Sequence, residues 1–150
     1  MSSTDHINLI LPSQCLHQWT EDLEALGFVP DPMAQRRQAF GMIKVFDPSQ
    51  FGSVRVSMGD TQDVWQGDHP ALYEQITTRL GTNQWSDFVV TFAYQPRAEQ
   101  ETLVLLRWVA QHYPKYAAAI DYHHLLEPSD MAALDREMLY WSGELWDDND

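Results

Sequence analysis

The sequence predicts a single α+β domain over residues 1–150, with a mainly antiparallel sheet of four or five strands and helices packed against it. Some short runs alternate apolar and polar residues with a period of two, which marks half-buried strands. Others repeat apolar residues at spacings of three and four, which marks helices, and the two kinds interleave along the chain. At 150 residues, with 44% hydrophobic and 12% aromatic side chains, there is material for one real core.

The first strand is predicted over His6 to Leu11, where Ile7, Leu9 and Leu11 alternate with Asn8 and Ile10 until Pro12 stops the run. A helix follows: Ser13 offers an N-cap, Leu16, Trp19, Leu23 and Leu26 form one stripe, and Gly27 stands where a left-handed C-terminal residue belongs. Phe28 to Gln38, with two prolines, has the composition of a connector. Phe40 to Phe46 and Ser53 to Met58 then predict an antiparallel hairpin with a long turn between them. After a loop from Gly59 to Gly67, Asp68 or His69 caps a helix with Pro70 in its first turn, Leu72, Ile76 and Leu80 along its core face, and Gly81 at its end. Phe88, Val90, Phe92 and Tyr94 alternate as a fourth strand.

This order, βαββαβ, is that of a ferredoxin-like sandwich. A third helix opens at Pro96 and runs to Pro114; Leu103 to Leu106, Trp108 and Val109 leave it so little polar face that packing on two sides is predicted. Residues 115–150 form a helical C-terminal extension in this scheme. Within it, Tyr116 to Leu126 fits either a helix or an extra strand. Ser129 caps a last helix whose stripe is Met131, Leu134, Met138, Trp141 and Leu145.

Charge narrows the class of partner. The formal net charge is −13, from 22 acids against 7 Arg and 2 Lys, and such a field repels phosphate backbones and anionic membranes while drawing in basic surfaces. Neither nucleic acid nor a membrane is an expected partner. The acids are also sorted: residues 119–150 hold nine of them against one Arg, whereas residues 35–58 hold four basic side chains against Asp47 alone. Solubility by itself is the competing explanation for the net charge. One cysteine, Cys15, excludes an internal disulfide framework, and the first residues lack the basic and apolar regions of a signal peptide, so a cytoplasmic location is expected.

No motif for a reaction stands out. The chain has no Gly-rich phosphate loop, no Gly-x-Ser-x-Gly elbow, no His-Glu-x-x-His and no Cys-x-x-Cys, so no catalytic residue, cofactor or metal is assigned. Cys15 beside Leu16 reads as a small apolar residue rather than a nucleophile. Asp121, His123 and His124, with His112 before them, are the densest group of possible metal ligands, but adjacent histidines point apart on either a helix or a strand. His17 and Glu21 have the spacing of a helix surface pair.

Surface signals are stronger. Asp60, Asp63 and Asp68 surround Trp65 in one segment, and Tyr140, Glu144, Trp146, Asp147 and Asp148 gather in another; an aromatic among carboxylates is suited to anchoring a basic protein partner. Each has a structural alternative: Trp65 folding back to cover the sheet, and the acidic end fraying. Trp141 falls on the helix stripe and belongs to the core.

In size, acidity, absent signal and catalytic motifs, and the two acid-aromatic segments, the chain resembles small acidic cytosolic immunity proteins of bacterial polymorphic or contact-delivered toxin systems. The resemblance implies a protein that binds one cognate toxin and occludes its active site or substrate entry. Three other classes remain open. A secretion chaperone or adaptor would hold a client on exposed apolar surface; a small-molecule-binding or metal-dependent enzyme domain would gather Asp121, His123 and other polar groups in a pocket; a nucleic-acid mimic would space its carboxylates like phosphates.

Overall fold

A computed structural model describes residues 4–47, 52–93, 95–120, 122 and 124–140. Thirteen elements follow in chain order: β1 (Thr4–Pro12), α1 (Leu16–Ala25), β2 (Val29–Pro30), α2 (Pro32–Arg36), β3 (Gly41–Asp47), β4 (Gly52–Met58), α3 (Gln62–Asp68), α4 (Pro70–Leu80), β5 (Trp85–Ala93), α5 (Pro96–His112), β6 (Ala117–Ile120), β7 (His124–Leu125) and α6 (Pro128–Ala132). Two 3-10 turns, Ser13–Cys15 and Arg136–Tyr140, join α1 and follow α6.

The predicted mixed architecture with a mainly antiparallel sheet is present, but the sheet has seven strands rather than four or five. Their order is β2-β3-β4-β5-β1-β6-β7, and every neighbouring pair is antiparallel. The ferredoxin-like order is not found. A split βαβ unit would hold another strand between two strands joined by a helical crossover. Here β4 and β5, joined through α3 and α4, pair directly from Val54↔Phe92 to Met58↔Phe88. That displaces β1 to the far side of β5, along which it pairs over its whole length, Thr4↔Ala93 to Pro12↔Trp85.

The extra strands come from segments whose composition hid them. The connector after Gly27 holds β2 and the short α2, the latter capped by Asp31, whose side chain accepts the Met33 N–H at 3.1 Å. The ambiguous stretch after Tyr116 forms β6 and β7, so residues 115–150 are not simply a helical extension. The single last helix is replaced by α6 and the turn at Arg136–Tyr140. Glu127 rather than Ser129 stands at the N-cap of α6, in a capping box with Asp130. Ser13 likewise is no cap; its hydroxyl meets that of Ser86 at 3.2 Å. The two predicted left-handed glycines are found, Gly27 at φ +99° and Gly81 at φ +72°.

The sheet separates two cores. On one face Ile7, Leu9 and Leu11 of β1, Val54 and Val56 of β4 and Phe88, Val90 and Phe92 of β5 pack against Trp19 and Leu23 of α1 and Ala98, Leu103, Leu105, Leu106 and Val109 of α5. Met131, Leu134 and Met138 join this core from outside α5, which is therefore covered on two sides, as its sequence predicts. On the other face Ile10, Trp85, Ala117 and Ala119 pack against Trp65 of α3 and Ile76 and Leu80 of α4. The period-two alternation of each strand assigns its side chains to these faces.

Candidate functional site

The segment after β4 turns away from the sheet at Gly59, whose N–H still donates to the Asp87 carbonyl at 2.7 Å. Where a loop is expected, residues Gln62–Asp68 wind into α3. Trp65 explains why: it is fully buried between Trp85 and Tyr122, with ring centroids at 5.9 and 5.0 Å. Its loop position and its role as a surface anchor are both corrected, because a side chain at 0% exposure presents nothing to a partner. It acts instead as the nail that fixes α3 to the sheet. Asp60, Asp63 and Asp68 remain on the outside, exposed. Asp68 is the last residue of α3 and not a cap of α4, and His69 between the helices makes no side-chain cap bond.

Beneath α3 lies a buried polar cluster that the sequence reading did not single out. Asn8 and Asp87 are 0% and 1% exposed. Asp87 Oδ2 accepts the Trp65 Nε1–H at 2.9 Å, the Asp60 N–H at 3.2 Å and the Tyr122 hydroxyl at 3.4 Å, while Oδ1 accepts the Asn8 Nδ2–H at 3.0 Å. Asn8 Oδ1 in turn accepts the N–H of Tyr122, which holds that residue at φ +62° in the turn between β6 and β7. His69 stacks on Tyr122 with centroids 5.4 Å apart.

All donors to Asp87 are neutral dipoles. Burial pushes its carboxyl above the usual aspartate range; the bonds from Asn8, Trp65 and the Asp60 amide oppose the rise, and the nearby Asp60 charge adds to it. The Tyr122 phenol is also raised, first by burial and then by the Asp87 charge. Gly59 is required here for space: a Cβ built on it stands 2.4 Å from Asp87 Oδ2. Between the ends of β4 and β5 a cleft of about 350 Å³ opens, lined in part by Met58, Asp60, Asp63, Trp85 and Asp87.

Comparison with protein-family models, curated proteins and solved structures finds no match. The site therefore rests on its own geometry. It brings Asp60 and Asp63 together at one cleft, with Asp68 at the far end of the same helix. Tyr140 lies on the opposite side of the sheet, half-buried against Phe92, its hydroxyl donating to the buried Glu99 carboxylate that also pairs with Arg136 at 2.6 Å. The two candidate patches thus do not merge through Tyr140. Glu144, Trp146, Asp147 and Asp148, with Trp141 and Leu145, lie outside the described residues, as do Asp121, His123 and Tyr94.

A signal for the missed cluster does exist in the sequence. Asn8 and Asp87 occupy the strand phase opposite to Leu9 and Phe88, which reads as solvent-facing when one core is assumed. Ile10 and Trp85 share that phase, and two large apolar residues there announce a second buried face.

Proposed function

We propose that this chain is an inhibitory binding protein, of the immunity type, that neutralises a cognate toxin by engaging a basic surface with the acidic face of α3. It works in the cytoplasm and carries no reaction of its own. The observation that carries this proposal is that Asp60 and Asp63, both exposed, line one cleft beside α3, which the buried Trp65 pins to the sheet, with Asp68 exposed at the other end of that helix. A fixed patch loses little conformational freedom on binding, and the −13 charge behind it accelerates encounter with a cationic partner.

A genetic test is direct. The product of the gene adjacent to this one is expressed in a bacterial host with and without this chain. Growth arrest relieved by the chain, and no longer relieved by a Asp60→Lys, Asp63→Lys variant with an unchanged circular dichroism spectrum, is the expected result. A non-toxic neighbour that does not co-purify with the chain sinks the proposal.

A second function has one observation in its favour. Val29, Met33 and Val45 are 55%, 50% and 50% exposed, and Val29 and Val45 lie on the same face of the β2–β3 edge. A secretion chaperone would use such apolar surface, usually as a dimer. Light scattering of the full chain separates the two: a monomer that rescues growth fits the inhibitor, and a dimer that co-purifies with a secreted client fits the chaperone.

A further inference from the structure

A second cleft lies between the C-terminal half of α5 and the short α6, whose Met131 belongs to the core on the face of the sheet opposite α3. It encloses about 340 Å³, within the range of small-molecule sites. Ala110, Tyr116, Pro128 and Met131 give it largely apolar walls, and Arg107 and Gln111, one turn apart on α5, give it two polar groups. Apolar walls with a few converging polar groups are the usual make-up of a ligand site.

Arg107 is exposed, and an exposed arginine alone is ordinarily satisfied by water. This one differs on two counts. Its guanidinium is held in place, since Nη2–H donates to the Leu134 carbonyl at 2.7 Å. It is also uncompensated. In a chain with 22 acids and nine Lys or Arg, the side chains of Lys44, Arg55, Arg79, Arg97 and Arg136 each pair with a carboxylate, whereas Arg107 has no ion pair among the described residues. The neighbouring acids are turned to the backbone: Asp130 accepts the Glu127 N–H at 2.8 Å, and Asp135 accepts the Met138 N–H at 3.2 Å. No Asp or Glu stands among the residues lining the cleft.

We propose that this cleft binds a small organic monocarboxylate with a flat apolar body, the carboxylate on Arg107 and Gln111 and the body against Tyr116, Pro128 and Met131. Only one N–H of the guanidinium is spent on Leu134, so a two-point bond to a carboxylate is still open to it. A phosphate fits less well. Its second charge finds no further cation among the lining residues and meets the field of a chain at −13. The same field disfavours casual anion binding elsewhere on the surface, so an anion that does bind reports a built site.

The full chain, isotope-labelled, is titrated with phenylpropanoate, with its neutral amide, with acetate and with phenyl phosphate, while backbone amide signals are followed by NMR. Phenylpropanoate is expected to move the signals of Gln111, Tyr116 and Met131 saturably, and each of the other three to bind about tenfold more weakly or less. Arg107→Gln should weaken phenylpropanoate about tenfold, and Arg107→Lys, which keeps the charge and loses the fork, should weaken it less. Should Arg107→Gln disturb α6 through the lost Leu134 bond, Ala132→Glu gives the same answer from an exposed position, by setting a competing carboxylate at the cleft while Arg107 stays. Equal binding of acid and amide, tighter binding of phenyl phosphate, or full affinity in both Arg107→Gln and Ala132→Glu overturns the proposal. None of these results touches growth rescue through the α3 face, so the two proposals fail separately.

Discussion

The two faces of the sheet are built on opposite principles. The face covered by α1 and α5 is a large apolar core in which Phe88 meets Trp19 and Phe40 with centroids 5.9 and 5.3 Å apart. The face covered by α3 and α4 is smaller and gives over its centre to Asn8, Asp87, Trp65 and Tyr122, linked by hydrogen bonds. Stability on the first face comes from excluded water and close packing; on the second it depends on every polar group finding its partner. The first face holds the fold, and the second holds the buried polar cluster beside the α3 cleft.

The contrast can be broken first on the apolar face. Phe88→Ala removes a side chain at 1% exposure from between two aromatic rings. It should cost about 3–5 kcal/mol in urea unfolding at any pH from 5 to 8. A loss under 1 kcal/mol would mean that the core closes around the gap.

On the polar face the losses should be smaller and should depend on pH. Trp65→Phe keeps most of the ring and deletes the donor to Asp87, with an expected cost of about 1–3 kcal/mol at pH 7. Since the lost bond stabilises the ionised carboxylate, the cost should shrink as pH is lowered. A pH-independent cost would assign the effect to packing alone.

Asp87 itself gives a third comparison. Its carboxyl is raised in the folded state by burial, so the folded protein holds a proton that the unfolded chain has already released. The contribution to stability is complete below the ordinary aspartate pKa of about 4 and is lost as pH climbs through the folded value. Asp60, Asp63, His69, His6 and Tyr122 surround the site, and other groups titrate elsewhere. The decisive quantity is therefore the difference between the unaltered protein and Asp87→Asn across pH 4–7, in which the decline should be missing from the variant. Parallel curves would remove Asp87 from the account. The smallest effect on folding belongs to the α3 rim, where Asp60→Lys with Asp63→Lys should change unfolding free energy by less than about 0.5 kcal/mol.

The same contrast explains what could be read from sequence. The apolar face was legible because the central strands each carry a run of large apolar residues in one phase (Ile7, Leu9 and Leu11; Val54 and Val56; Phe88, Val90 and Phe92), and α5 repeats such residues at helical spacing. The second face was not, since Asn8 and Asp87 look like water-facing positions until Trp65 and Tyr122, 57 and 114 residues from Asn8, are brought over them. Trp65 misled in the other direction: flanked by Asp63, Gln66, Gly67 and Asp68, it carries the composition of a loop. Asp60 and Asp63 were legible as neighbours, but the cleft between them depends on where β4 stops, which turn composition does not fix. The short strands β2 and β7 were hidden because two residues are too few to show any period.

Those two short strands also bear on how the molecule behaves among its own copies. An open sheet ends in rows of unsatisfied N–H and C=O groups, and a long, flat edge invites another chain to add on. This sheet keeps its long strands inside and finishes each border with a two-residue strand. One border carries Pro30, which has no N–H to offer, with Pro32 two residues on; the other runs within three residues into Pro128. Neither edge strand offers a long run of its own for another copy to pair with.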